Sequence, residues 1–160
     1  MFCDACFSET MRVKWRILEP PSYITKERHM TKISCTYTGD GQTLLKHGDN
    51  QAEILTDLPP DNGGKGRYFS PTDLFASSLA ACSVTIMGKM AESRGQNIDG
   101  TQVEVEKEMA ANPRRVAKVT LKFTFPDSLE KADREKYIAS IKACPVHNSL
   151  GDVEVDITSN

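Results

Sequence analysis

The sequence has no hydrophobic run of membrane length. Its longest uncharged stretch, residues 74–88, covers fifteen positions, and a bilayer span needs about twenty. The stretch therefore reads as a buried core helix, and no membrane partner is expected. Excess charge of either sign is missing too: 20 Lys and Arg stand against 22 Asp and Glu, a formal charge of −2. Without a global field to draw in phosphate backbones or anionic lipid, nucleic-acid binding is not expected either. The opening residues show no basic start, continuous apolar core or small-residue cleavage site, so a cytoplasmic location is expected. Nor is there a disulfide framework: Cys3, Cys6, Cys35, Cys82 and Cys144 are an odd number in a chain long enough to build its own core. A metal site is not expected. Cys3-Asp4-Ala5-Cys6 has the spacing of half a zinc site, but no second close pair follows, and His147 after Cys144 adds one ligand only.

What is present fits one folded unit. At 160 residues, 39% hydrophobic and 26% charged, the chain has the size and composition of a domain that buries roughly 70% of its unfolded surface. Residues 1–29 lack a helical or strand period, carry Pro20-Pro21, and are read as an N-terminal appendage; residues 30–160 form the domain. Ile33, Cys35 and Tyr37 alternate with polar residues up to Gly39-Asp40-Gly41, and residues 42–47 and 51–56 follow as two more short strands. Residues 58–70, with Pro59-Pro60 and Gly63, Gly64 and Gly66, make a long loop of the kind that lines sites.

A helix begins at Ser70-Pro71-Thr72-Asp73: Ser70 caps, Pro71 suits the first turn, and Asp73 meets the positive end of the dipole. Phe75, Leu79, Cys82, Ile86 and Met90 share one face, and Arg94-Gly95 supplies the stop, for a length of about 36 Å. Val103, Val105, Lys107 and Met109 alternate with three glutamates. Beyond Asn112-Pro113, Val119, Leu121, Phe123 and Phe125 alternate with Lys118, Thr120, Lys122 and Thr124. These are two strands of a hairpin with facing acidic and basic rows. A second helix, capped by Asp127 or Ser128, buries Leu129, Ala132, Ile138 and Ile141 and stops at Cys144-Pro145; Val153, Val155 and Ile157 mark a last strand. The order is that of an α+β fold.

Two cysteines stand where chemistry can occur. Cys82, in mid-helix, is by position alone a small buried hydrophobe. Cys144 precedes Pro145, which suits the first position of a short new helix; backbone N–H groups there would favour a Cys144 thiolate. A small residue at a helix junction fits the same position. The string SPTDLFASSLAAC, ending at Cys82, resembles the SPxEL…AAC signature of the OsmC/Ohr family, the osmotically inducible and organic hydroperoxide resistance proteins. Ala143-Cys144-Pro145-Val146 resembles that family's second-cysteine motif. The resemblance runs over residues 31–157 and covers the succession of elements as well as both motifs.

The resemblance implies an OsmC-like fold of antiparallel sheets around a long central apolar helix. It also implies an intertwined homodimer with two active sites at the subunit interface, and a thiol-dependent peroxidase acting on organic hydroperoxides. It makes Cys82 the peroxidatic thiol, oxidised to a sulfenic acid, and Cys144 the resolving thiol that condenses with it to a disulfide. No cofactor is implied beyond an external dithiol reductant, with lipoylated proteins favoured over glutathione. The hydroperoxide resistance branch places a glutamate ten residues before the first cysteine, where this chain has Thr72. The acid here is Asp73, one position later, which resembles a third, OsmC-like branch. Asp73 is thus a candidate orienting acid for a cation near Cys82, and equally a helix cap. The activating arginine of the hydroperoxide resistance branch has no counterpart around Gly39-Asp40-Gly41; Arg67 and Lys65 are the candidates to replace it. Phe69, Phe75, Met87 and Met90 fit the walls of an apolar pocket, and core packing explains the same residues better. A second reading keeps the pocket without the chemistry: a non-enzymatic stress-associated protein that holds a hydrophobic ligand at the dimer interface.

Overall fold

The computed structural model describes residues 30–151 and 153–160. The appendage over residues 1–29, with Cys3 and Cys6, lies outside the described residues. Three successive residues, Gly39 (φ 94°), Asp40 (φ 51°) and Gly41 (φ 77°), carry the chain from β1 (Ile33–Gly39) to β2 (Gln42–His47) through the left-handed region that glycine enters without steric cost. β3 (Glu53–Asp57) completes an antiparallel sheet in the order β1-β2-β3. Its register puts Ile33, Cys35, Tyr37, Leu45 and Ile54 on one face. That face is open: Ile33 is 64% exposed, Tyr37 69% and Ile54 49%. The sheet makes no extensive packing with any helix or with the second sheet.

The glycine-rich segment after β3 folds back along it. Phe69 O accepts from Asp57 N at 3.1 Å, and Gly66 N–H donates to Leu58 O at 3.2 Å. At Gly64 a Cβ would sit 1.9 Å from Leu58 O, so the loop closes this tightly only with glycine. It delivers the chain to α1 (Pro71–Arg94), which opens on a full capping box: Ser70 Oγ accepts from Asp73 N at 3.1 Å, and Asp73 Oδ2 accepts from Ser70 N at 2.8 Å. Gly95, at φ 64°, ends the helix by donating to the carbonyls of Ala91 and Glu92. Among the described residues α1 is the one helix long and apolar enough to cross a bilayer, and here it packs on β4, β5, α2 and α3.

The buried face of α1 differs from the one expected. Ala76, Leu79, Ala80, Ser83, Met87 and Ala91 face the core, while Phe75 stays 40% exposed and Cys82, Ile86 and Met90 are half-buried. The small residues decide this, because an alanine stripe lets the second sheet approach closely where bulky side chains would hold it off. That sheet joins β4 (Gln102–Ala111) and β5 (Arg114–Thr124) as the expected hairpin, with Val103, Val105 and Lys107 opposite Phe123, Leu121 and Val119.

β6 (Glu154–Ser159) then pairs with β5 in parallel, so the second sheet is mixed rather than wholly antiparallel. A parallel neighbour needs a crossover, and α2 (Lys131–Ser140) with α3 (Pro145–Asn148) supplies it. The basic row splits accordingly: Lys122 pairs with Glu106 on β4 at 2.5 Å, whereas Lys118 turns to Asp156 at 2.5 Å and Glu154 at 3.2 Å on β6.

α2 starts at Lys131 and is capped by neither Asp127 nor Ser128. Arg134 instead ties down its entrance, donating to Leu129 O at 2.8 Å and Pro126 O at 3.4 Å. Its main core residue is Tyr137, wholly buried with its hydroxyl on Gln96 Oε1 at 2.6 Å; Ala132 is exposed. Tyr137, Phe123, Phe125, Leu121, Val119 and Ile141 form the centre of the core.

Candidate active site

Cys82 sits halfway along α1, half-buried at the edge of the core. Cys144 reaches it from a 3-10 turn, Ile141–Ala143, that leaves Cys144 extended (φ −71°, ψ 120°) as the N-cap of α3. Pro145 at the first helical position has no N–H, so the first free donors of α3 are those of Val146 and His147. His147 N–H points at Cys144 Sγ, 3.5 Å away, and Val146 N–H acts on the Cys82 thiol. Burial pushes the Cys82 thiol above its ordinary value, the Cys144 side chain pushes it the same way, and the Val146 N–H offsets part of the rise. Cys144 itself is fully buried.

Other expected participants lie elsewhere in the chain. Asp73 is nine residues before Cys82, about 13.5 Å along the helix axis. Its Oδ1 pairs with Lys107 Nζ at 2.5 Å, and Lys107 also donates to Thr72 Oγ1 at 2.7 Å and Ser70 Oγ at 3.3 Å. Burial pulls the Asp73 carboxyl upward, but Lys107 and Ser70 outweigh it and hold it below the usual range. Within one chain the cation that Asp73 orients is therefore Lys107, at the start of α1. Lys107 was visible in the sequence as the one charge in the apolar row of β4 and carried no assigned role.

Arg67 and Lys65 are engaged away from Cys82. Arg67 Nε pairs with Asp57 Oδ2 at 2.7 Å and its Nη1 with Asp40 Oδ2 at 3.0 Å, while Lys65 takes Asp40 Oδ2 at 2.6 Å. Asp57 is 1% exposed, and the Arg67 side chain and backbone N–H together hold its carboxyl down to about 2. The ring of His147 faces Asn148 Oδ1 at 3.5 Å. Among the described residues no group of three or more His, Cys, Asp or Glu is placed to hold a metal.

The expected apolar pocket divides in two. Met87 is wholly in the core. Phe69 lines a small pocket of ≈ 190 Å³ with Ala76, Val105 and the Asp73–Lys107 pair. Phe75 lines a larger one of ≈ 540 Å³ with Val116, Leu150 and Val153.

Two three-stranded sheets, a long small-residue helix and a cysteine in that helix met by a second one at a helix cap define a class of α+β dithiol proteins. The model of the family described as OsmC-like protein matches residues 64–160. The chain is 41% identical to a protein from Psychrobacter arcticus 273-4 described as an osmotic stress induced and detoxification response protein. Their structures agree with a TM-score of 0.78, over 84% of this chain and 98% of that one. Organic hydroperoxide resistance proteins from Legionella pneumophila and Elizabethkingia anophelis share the fold at 21% identity each, with TM-scores of 0.69 and 0.66, over 84% of this chain and 99% of theirs. No curated protein matches. The chain belongs to the OsmC-like family.

Proposed function

We propose that the chain is a thiol-dependent peroxidase that reduces organic hydroperoxides to alcohols. The observation that carries this reading is that Cys144, the N-cap of α3 with His147 N–H on its sulfur, lies near enough to Cys82 to act on its thiol. Cys82, as thiolate, attacks the distal oxygen of the hydroperoxide: an S–O bond forms, the O–O bond breaks, and the alkoxide leaves as alcohol after taking the thiol's proton. Cys82 is then a sulfenic acid. Cys144 sulfur attacks that sulfur, an S–S bond forms, and the hydroxide leaves as water with the Cys144 proton. A small external dithiol, such as a lipoyl group, restores both thiols and is itself oxidised to a disulfide. A reducing cytoplasm suits that last step.

The working unit in this reading is a homodimer. An apolar face as open as that of Ile33, Tyr37 and Ile54 needs a cover, and a second copy presents the same face. The partner is also where a further cation for Cys82 would come from, since Arg67 and Lys65 are already paired within the chain.

The test mixes fully reduced protein with cumene hydroperoxide. Two thiols are lost per peroxide consumed, cumyl alcohol accumulates, and Cys82→Ser abolishes both. Peroxide consumption by Cys82→Ser at the parent rate would sink the assignment. The non-enzymatic alternative is favoured by the ≈ 540 Å³ apolar pocket; retained binding of a hydrophobic fluorophore with no peroxide consumed would establish it instead.

A further inference from the structure

A disulfide between Cys82 and Cys144 offers an incoming thiol one sulfur rather than two. Cys144 is fully buried, whereas Cys82 is half-buried at the edge of the core. Attack on the Cys82 sulfur drives out Cys144, and His147 N–H, 3.5 Å from Cys144 Sγ, stands ready to receive the thiolate that leaves. The exchange therefore has a direction: the nucleophile comes onto Cys82 and Cys144 is the leaving group. A thiol that reaches a half-buried sulfur halfway along α1 has to be carried on something slender, because a folded partner meets the surrounding surface first.

The chain carries a second thiol pair that the peroxidase reading leaves unused. Cys3 and Cys6 are separated only by Asp4 and Ala5, so a bond between them closes a short loop at small entropic cost. Residues 7–29 join the pair to Met30, the first described residue, which is exposed, so this segment joins the domain at its surface. A stretch of chain from Cys6 to Met30 spans at most roughly 80 Å. That is several times the radius of gyration of roughly 14 Å expected of a domain of this size, so length alone puts Cys82 within reach of the pair. Joining reductant and target in one chain also replaces a bimolecular encounter by an intramolecular one.

We infer that Cys3 and Cys6 are a built-in dithiol that reduces the Cys82–Cys144 disulfide and passes the oxidation on to a soluble dithiol. The relay rests on the peroxidase reading, which supplies that disulfide. One thiolate of the pair attacks the Cys82 sulfur: a mixed S–S bond forms, the Cys82–Cys144 bond breaks, and Cys144 leaves and takes up a proton. The second thiolate of the pair then attacks the sulfur of the first, the Cys3–Cys6 bond forms, and Cys82 is released and protonated in turn. Two electrons and two protons have passed from the pair to the site. A soluble dithiol, such as a lipoyl group, reduces the Cys3–Cys6 bond and is itself oxidised to a disulfide.

Two measurements on the full chain test it. The first titrates fully reduced protein with cumene hydroperoxide, with no reductant present, and maps the disulfides by peptide mass spectrometry. The parent consumes two equivalents per chain and ends with both the Cys3–Cys6 and the Cys82–Cys144 bonds, whereas the double variant Cys3→Ser, Cys6→Ser stops at one. In Cys82→Ser, Cys3 and Cys6 stay thiols, because oxidation reaches them only through Cys82. A parent that stops at one equivalent with Cys3 and Cys6 still reduced overturns the relay and leaves the peroxidase reading standing. A Cys3–Cys6 bond that forms as fast in Cys82→Ser as in the parent overturns the relay too. The second measurement needs no peroxide: the protein is equilibrated with mixtures of reduced and oxidised lipoic acid. The Cys3–Cys6 bond forms in more reducing mixtures than the Cys82–Cys144 bond, since electrons run downhill from the pair to the site. The reverse order overturns the relay, while the expected order with no peroxide consumed in the first measurement overturns the peroxidase reading alone.

Discussion

Cys144 caps α3 near Cys82 on α1, so the first two free N–H groups of one short helix bear on different sulfurs: His147 N–H bonds to Cys144 at 3.5 Å, and Val146 N–H lowers the Cys82 thiol pKa. Pro145 makes this division. Lacking an N–H, it contributes the helical φ without adding a donor of its own. The arrangement links the two thiols: whatever happens to one sulfur changes the surroundings of the other.

That coupling has a sign. Burial and then Cys144 raise the Cys82 pKa above its ordinary value, so its oxidation by cumene hydroperoxide should accelerate toward alkaline pH as the thiolate forms. Cys144→Ala removes one of the two raising causes. Its Cys82 oxidation profile should lie to the acid side of the parent's, and the reaction should stop at a sulfenic acid that dimedone traps. Stopped-flow oxidation against pH checks this, and superimposed profiles would show that the thiols do not act on each other.

Asp57 makes a second pH-dependent contribution, to stability. Its buried carboxyl is held down to about 2, first by the Arg67 side chain and then by the Arg67 N–H. A folded-state value below the unfolded one means that the contribution is complete above about pH 4 to 5 and is lost as pH falls toward 2. Arg67→Ala strands that carboxylate. The melting temperature should drop most at pH 7, and the gap to the parent should narrow at pH 3 as Asp57 takes up a proton. An equal drop at both pH values would place the effect of Arg67 in packing instead.

The open face of the first sheet predicts the assembly. Ile54 lies beside Leu45 and Cys35 on that face, and Ser34 points to the other side. Light scattering should report a dimer for the parent and for Ser34→Glu, and a monomer for Ile54→Glu, because a carboxylate buried at the contact is left without a partner. A monomeric parent, or a dimer indifferent to Ile54→Glu, removes the homodimer from the reading.

Much of the fold was legible because its signals are local. Ser70, Pro71, Asp73 and Gly95 mark both ends of α1, and the alternations of β4 and β5 need only the period of a strand. The misread parts depend on distant partners. The buried stripe of α1 follows its alanines because a sheet presses on them, which no periodicity of bulky residues reveals. Tyr137 enters the core only because Gln96, forty-one residues earlier, receives its hydroxyl and is itself held by Asp133 at 2.5 Å. The parallel setting of β6 follows from the crossover, since the alternation of Val153, Val155 and Ile157 is the same in either direction. The two cysteines were legible as motifs, and their pairing came from the family resemblance, since nothing in their spacing of sixty-two residues brings them together.

Lys107 gives the last prediction, because it separates a structural role from a catalytic one. Its ammonium has three protons and finds three acceptors at the start of α1, on Ser70, Thr72 and Asp73. A cation beside the positive end of a helix dipole is unfavourable by itself, so Asp73 has to answer both the dipole and Lys107. Lys107→Met should cost about 1 kcal/mol, modest because the Lys107 and Asp73 side chains are 23% and 38% open to water. With the ammonium gone, the Asp73 pKa rises toward its ordinary 3.8, so its share of stability no longer falls away in acid and the gap to the parent narrows as the pH drops. Cumene hydroperoxide consumption should remain at the parent rate, since this cluster lies more than two helical turns from Cys82. Chemical denaturation at pH 7 and pH 4 and a carboxyl titration of Asp73 by NMR check the first part. A collapse of peroxide consumption in a Lys107→Met protein that is still folded would return Asp73 and Lys107 to the catalytic site.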